Sequence, residues 1–231
     1  MRWFSILLCS VWLLTGCASS QSTQNSNGGL SRLAKSDVDE VIEIHQKAVM
    51  QNLKQLMVKL YKRNPNLRYD REIRTIKESV DLTFSRRFDF NYPDYKTIRK
   101  PTDIVRLALD ENYQGDRVLA FIVGLRKMLM ASYDNHNEFF YLTSIDQQKL
   151  YNSARNLEIA AWLLAKNRDK NGNLLILSDS LSDETRNLSY QRLIGRMIAT
   201  QDNLALIISQ KTGRLIKTFV VRAASLVFLP I

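Results

Sequence analysis

The stretch 117–133, RVLAFIVGLRKMLMASY, is apolar around nearly the whole circumference of a helix. Such a helix has no face to give to water and needs a shell of other elements around it. This requirement constrains the architecture more than any other feature of the chain. It predicts a buried central helix, from about Asp116 to Tyr133, with amphipathic helices packed on it. Gly124 inside the run lets a neighbouring helix approach closely. Arg126 interrupts the run, and a charge at that depth needs a partner.

The shell is written in apolar residues spaced three and four apart. Val38, Val41, Ile42, His45, Val49, Leu53, Leu56, Met57 and Leu60 share one face of a helix running to about Arg63. Ser36 can cap it, Asp39 and Glu40 suit its positive end, and Asn64-Pro65 stops it. Further helices are predicted at about 70–85, at 103–112 with Thr102 as cap, and from Thr143 or Ser144 to Asn167. The last of these carries the stripe Leu150, Ala154, Leu157, Ala161 and Leu164. Two more are expected at about 190–209, broken by Gly213, and at 214–229. Residues 174–177 read as one short strand able to pair with 88–92. No 34-residue period is present; the echo of Asn66-Leu67 in Asn187-Leu188 reads as two similar helix starts. The expected fold is therefore mostly all-α: a single-domain helical bundle of about seven helices, with at most a short accessory β-ribbon.

The N-terminus has a different logic. Met1-Arg2 supplies a cation, residues 3–14 are nearly all apolar, and Thr15, Gly16 and Cys17 are small. That is the order of a secretory signal. The run of about 12 apolar residues falls short of the ~20 a spanning helix needs. Leu14-Thr15-Gly16-Cys17 resembles the lipobox of bacterial lipoproteins. The resemblance implies cleavage after Gly16 and a diacylglycerol on the Cys17 sulfur; the alternative is an ordinary signal with a coincidental cysteine. Each buried methylene contributes ~0.8 kcal/mol, and several acyl chains hold where one is marginal. Ala18, Ser19 and Ser20 follow. Enterobacterial-type lipoproteins are retained at the inner membrane by an Asp just after the Cys, so its absence implies the outer membrane. The remaining chain resembles uncharacterised proteobacterial lipoproteins, which adds no mechanism. The organisation expected is a signal peptide at 1–16, a lipidated Cys and flexible tether at 17–36, and an α-helical domain at 37–231. The tether's Ser, Gln, Asn and Gly cannot offset their ordering entropy.

On that reading Cys9 is removed and Cys17 is acylated, so no thiol remains as nucleophile, disulfide or metal ligand. The chain carries 33 Lys+Arg against 23 Asp+Glu, a net +10. In an envelope compartment such a surface meets lipid headgroups, lipopolysaccharide phosphates or peptidoglycan carboxylates. Nucleic acid is not expected as a partner, and no cofactor is expected beyond the covalent lipid.

Several residues are candidate sites. From Arg186 onward cations outnumber acids, and Arg192, Arg196, Arg214 and Lys217 are candidates for an anionic surface; the alternative is a solvated face. Phe88, Phe90, Tyr92 and Tyr95 lie beside Arg87, Lys96, Arg99 and Lys100 in a loop suited to a sugar or partner, or simply pinned to the core. Arg126, Arg155 and Glu158 are candidates for a buried ion pair. Glu78-Ser79 matches the catalytic Glu-Ser of lytic transglycosylases, but their downstream Gly-Leu-Met-Gln stretch is absent, so a solvated or salt-bridged Glu78 is expected. His45 reads as a core or boundary residue and His136 as part of a polar turn. From Asp169, a calcium loop would need Gly at its sixth position and Glu at its twelfth; Leu174 and Ser180 stand there, so a tight turn is expected. No phosphate loop, nucleophile elbow or acid pair is present.

The reading is an outer-membrane-anchored periplasmic lipoprotein that acts as a binding or scaffold component. Its partners would be the membrane through its acyl chains, and peptidoglycan, anionic lipid or envelope proteins through its surface. The rivals are a cell-wall or lipid-modifying enzyme using carboxylates such as Glu138 or Glu158, and a lipid-handling domain.

Overall fold

Among the described residues there are six α-helices, α1 (Asp37–Arg63), α2 (Ile76–Ser85), α3 (Pro101–Ala108), α4 (Arg117–Ser132), α5 (Gln147–Lys166) and α6 (Ser189–Thr212), with short 3-10 turns at Pro65–Leu67 and Pro93–Tyr95. The structure, a computed structural model, describes residues 36–140, 144–178, 184–185, 187–219 and 227–231. The signal stretch, Cys17 and nearly all the tether lie outside them, as does the middle of the last expected helix. The described residues contain no strand beyond one antiparallel bridge, Arg168 to Leu174, so the fold is the predicted helical bundle without its accessory ribbon.

The central helix is α4. From Arg117 to Leu125 and again from Met128 to Met130 every residue is buried; only Arg126 and Lys127 reach outward between them. Each large apolar side chain buried there contributes ~1.5–3 kcal/mol. Gly124 does what its position suggests: a Cβ would sit 2.7 Å from Val105 Cγ2 and 2.8 Å from the Val105 nitrogen, so α3 lies directly on α4. The two arginines of α4 close other helices. Arg117 donates to the carbonyls of Ala108, Asp110 and Glu111 at the end of α3. Arg126 donates to those of Thr83, Phe84 and Arg86 at the end of α2. Both supply a positive charge where a helix leaves unpaired carbonyls and the negative end of its dipole.

α1 packs antiparallel to α6. Tyr190, at the start of α6, donates to the Lys59 carbonyl near the end of α1, while Ile42 at the start of α1 clusters with Leu204, Ala205 and Ile208. α5 and α6 form a second antiparallel pair. Where they meet α4, Gln201 is fully buried, accepting from Tyr133 Oη (2.5 Å) and donating to Ser132 Oγ (3.0 Å) and Ser153 Oγ (2.6 Å).

Local chemistry moved several boundaries. α2 begins at Ile76, six residues later than expected, because Thr75 and Glu78 form a capping box. The residues ahead of it turn around Asp70, which is buried and accepts from Ser79 Oγ at 2.8 Å and from Arg74. α3 starts at Pro101, whose missing N–H suits the first helical position. α5 is capped by Asp146, which accepts from the Gln148 N–H at 2.8 Å. The strand expected at 174–177 is held instead by Asn64: its side chain pairs with both the N–H and the carbonyl of Leu177 at 2.8 Å. The helix expected at 214–229 is not helical at 214–219 or 227–231, because α5 supplies the hydrogen bonds these residues would have made within a helix. Gly213, at φ 68°, ends α6 in the left-handed conformation.

Candidate anion-binding cleft

The outward step of α4 at Arg126 and Lys127 opens onto the loop that leaves α2. Two adjoining hollows lie there, of about 370 and 690 Å³, sharing Arg87, Phe88 and Asn137 as walls. Their apolar floor is Met50, Phe84, Phe88, Met130 and Ala131. Their cations are Lys47, Arg86, Arg87, Arg99, Arg126 and Lys127, and the single carboxylate among the lining residues is Asp89.

The charges are not equivalent. Arg87 holds Asp89 through two bonds, Nε to Oδ1 at 3.1 Å and Nη2 to Oδ2 at 2.9 Å, which keeps the Asp89 carboxyl below its usual range and removes it as a counter-charge. Arg126 is committed to the three α2 carbonyls; burial lowers its pKa, yet an arginine keeps its proton. Arg86 lies over the rings of Phe90 (4.3 Å) and Tyr92 (5.5 Å), which orient it without cancelling its charge. Burial lowers the pKa of Lys127, with Asp89 acting in the opposite direction. Lys127, Lys47 and Arg99 make no ion pair among the described residues. A positive hollow with an apolar floor is chemically suited to a ligand bearing phosphate or carboxylate beside apolar atoms.

Of the loop aromatics, Phe88 lines the cleft, Phe90 stacks edge-on with Tyr92, and Tyr92 and Tyr95 are buried in the main core. The hydroxyls of Tyr92 and Tyr95 have no hydrogen-bond partner, so packing pins the loop and leaves Phe88 and its arginines at the surface. Arg155 bridges two acids, Glu158 Oε1 at 3.1 Å and Asp202 Oδ2 at 2.6 Å. Burial raises the pKa of both acids. Of the two partners expected for Glu158, Arg155 is the one it meets; Arg126 stands apart, because carbonyls rather than a carboxylate answer its charge. Arg192, Arg196, Arg214 and Lys217 are all exposed, but the two pairs lie near opposite ends of α6. At 1.5 Å per residue that is roughly 24 Å of helix, beyond the ~10 Å over which salt at 0.1 M lets charges cooperate.

The remaining candidates have structural partners. Glu78 is exposed and caps α2, and its bonds to Thr75 lower its pKa. His45 Nδ1 contacts the Val41 carbonyl at 2.8 Å. His136 and Glu138 are exposed on the turn after α4. Asp169 binds the Asn171 and Asn173 amides across a tight turn at Gly172. No group of His, Cys, Asp or Glu that could hold a metal occurs among the described residues.

Sequence reasoning picked out Arg87, Arg99 and Phe88 but missed Lys47 and Lys127. The signal for Lys127 was its place beside Arg126, two consecutive cations in an otherwise apolar helix. Lys47 sits on a polar face of α1 and gave no signal. No family model matches this chain, and neither curated proteins nor solved structures show a similar one.

Proposed function

We propose that this chain is a lipoprotein of the bacterial envelope, acylated at Cys17 and held at the outer membrane. Its helical domain would act on the periplasmic side as a binding component, taking an anionic envelope ligand into the cleft between α2 and α4. The observation that carries this reading is the concentration of Lys47, Arg86, Arg99 and Lys127 over an apolar floor, with the only lining carboxylate bound to Arg87. No helix of the described residues is long and apolar enough to cross a membrane; attachment here rests on the acyl chains.

The test is co-sedimentation of the helical domain, residues 37–231, with anionic vesicles and with purified peptidoglycan, at low and high salt. Lys47→Glu with Arg99→Glu should weaken binding at least tenfold, since each cation near an anionic surface contributes on the order of 1 kcal/mol. Both positions are exposed, and surface changes of this kind usually alter stability by under ~0.5 kcal/mol. Arg192→Glu with Arg196→Glu should have a much smaller effect. No binding to either material at low salt, or an equal loss from both pairs, removes the cleft from consideration.

A further inference from the structure

α5 holds the segments 217–219 and 227–231 the way a receptor holds a peptide. Gln148, Asn152 and Asn156, each four apart, form one stripe along the helix, with Tyr151 beside it. Gln148 accepts from the Lys217 N–H at 2.7 Å and donates to its carbonyl at 3.0 Å. The Tyr151 hydroxyl does the same with Phe219, at 3.0 and 3.1 Å. Asn156 accepts from the Leu229 N–H at 2.7 Å and donates to its carbonyl at 3.0 Å, and Asn152 donates to the Pro230 carbonyl at 2.8 Å. Every one of these bonds goes to main chain, so the stripe reads extended backbone and not side-chain identity.

The seat is also larger than its occupant. Val227 is 67 % exposed and Phe228 and Ile231 are only partly buried. A hollow of about 410 Å³ remains between this segment and Pro101, Thr102, Arg106, Met128 and Ala131. Asn152 and Asn156, by contrast, are buried beneath it. A buried amide pair on one side of the segment, and a hollow the segment leaves unfilled on the other, are chemistry suited to an extended peptide.

We propose that this face of α5 is a docking site for an extended peptide of a partner protein, occupied in cis by 227–231. The partner segment would carry an aromatic residue and, three positions on, an aliphatic one, as Phe228 and Ile231 do, and would enter by displacing the resident segment. The probe is a fluorescein-labelled Val-Phe-Leu-Pro-Ile peptide, titrated by anisotropy against the full chain in detergent. Leu229→Pro removes the N–H that Asn156 accepts and loosens the resident segment without touching the seat. It should bind the probe at least tenfold more tightly than the unaltered chain, and Asn156→Ala in that background should abolish the gain. Should Leu229→Pro fail to fold, hydrogen exchange at Leu229 in the unaltered chain gives the answer: saturating peptide should accelerate it. No tighter binding by a folded Leu229→Pro chain, a gain that survives Asn156→Ala, or exchange unchanged by peptide overturns the proposal.

Discussion

Asp116 carries the most consequence of any single residue. It caps α4, accepts from Tyr61 Oη at 2.9 Å and from the Tyr69 amide at 3.2 Å, and is buried, which pushes its pKa up to about 6. Burial is the main cause; the nearby Asp70 adds to it, and the three hydrogen bonds oppose it. The folded chain therefore keeps this proton where the unfolded chain has shed it. Stability falls as pH rises from about 4 to about 6 and is flat above that, by roughly 3 kcal/mol at 1.36 kcal/mol per pKa unit. Asp116→Asn keeps the cap and should remove that slope: the difference in unfolding free energy between the two proteins should change by this amount between pH 4 and 7 in urea titrations. A parallel pH profile would mean that the carboxylate is better solvated than its burial implies. Asp116 was legible as a cap from its place before an apolar run. Its burial was not, because Tyr61 reaches it from a helix that ends more than fifty residues earlier.

At the scale of elements, close approach decides the outcome. Gly124→Ala places a methyl within 3 Å of Val105 backbone. Helix propensity favours alanine by ~1 kcal/mol, but forcing α3 off α4 costs about 1–3 kcal/mol. The urea midpoint should fall; a rise would show that α3 can shift freely. This contact was readable from one glycine in an apolar helix, as α1 was readable from its spacing and its Asn-Pro stop. The segment after Gly213 was not readable. Its composition favours a helix, yet its backbone is paired to α5 amides some seventy residues earlier in sequence, and no local pattern encodes a partner that remote. The cleft was half legible for the same reason: Arg87 and Phe88 advertise themselves in an irregular loop, whereas Lys47 and Lys127 join them only once three helices have packed.

For the whole molecule, the proposed anchor makes the sharpest demand. Cys17→Ala should abolish labelling by an alkyne palmitate analogue and block maturation; equal labelling of mutant and parent chains would end the lipoprotein reading. The antiparallel contact of α1 with α6 has a further consequence, for biosynthesis. α3 and α4 are neighbours in sequence and can pair as soon as they are made. α1 packs on α2 and α4 as well, but its contact with α6 must wait, since 125 residues separate Arg63 from Ser189. At 5–20 residues per second, a nascent chain waits roughly ten seconds before Ile42 of α1 can meet Leu204, Ala205 and Ile208 of α6. If the chain is exported, that interval suits a route that threads unfolded polypeptide, because α6, the last helix among the described residues, supplies a contact that α1 lacks until then.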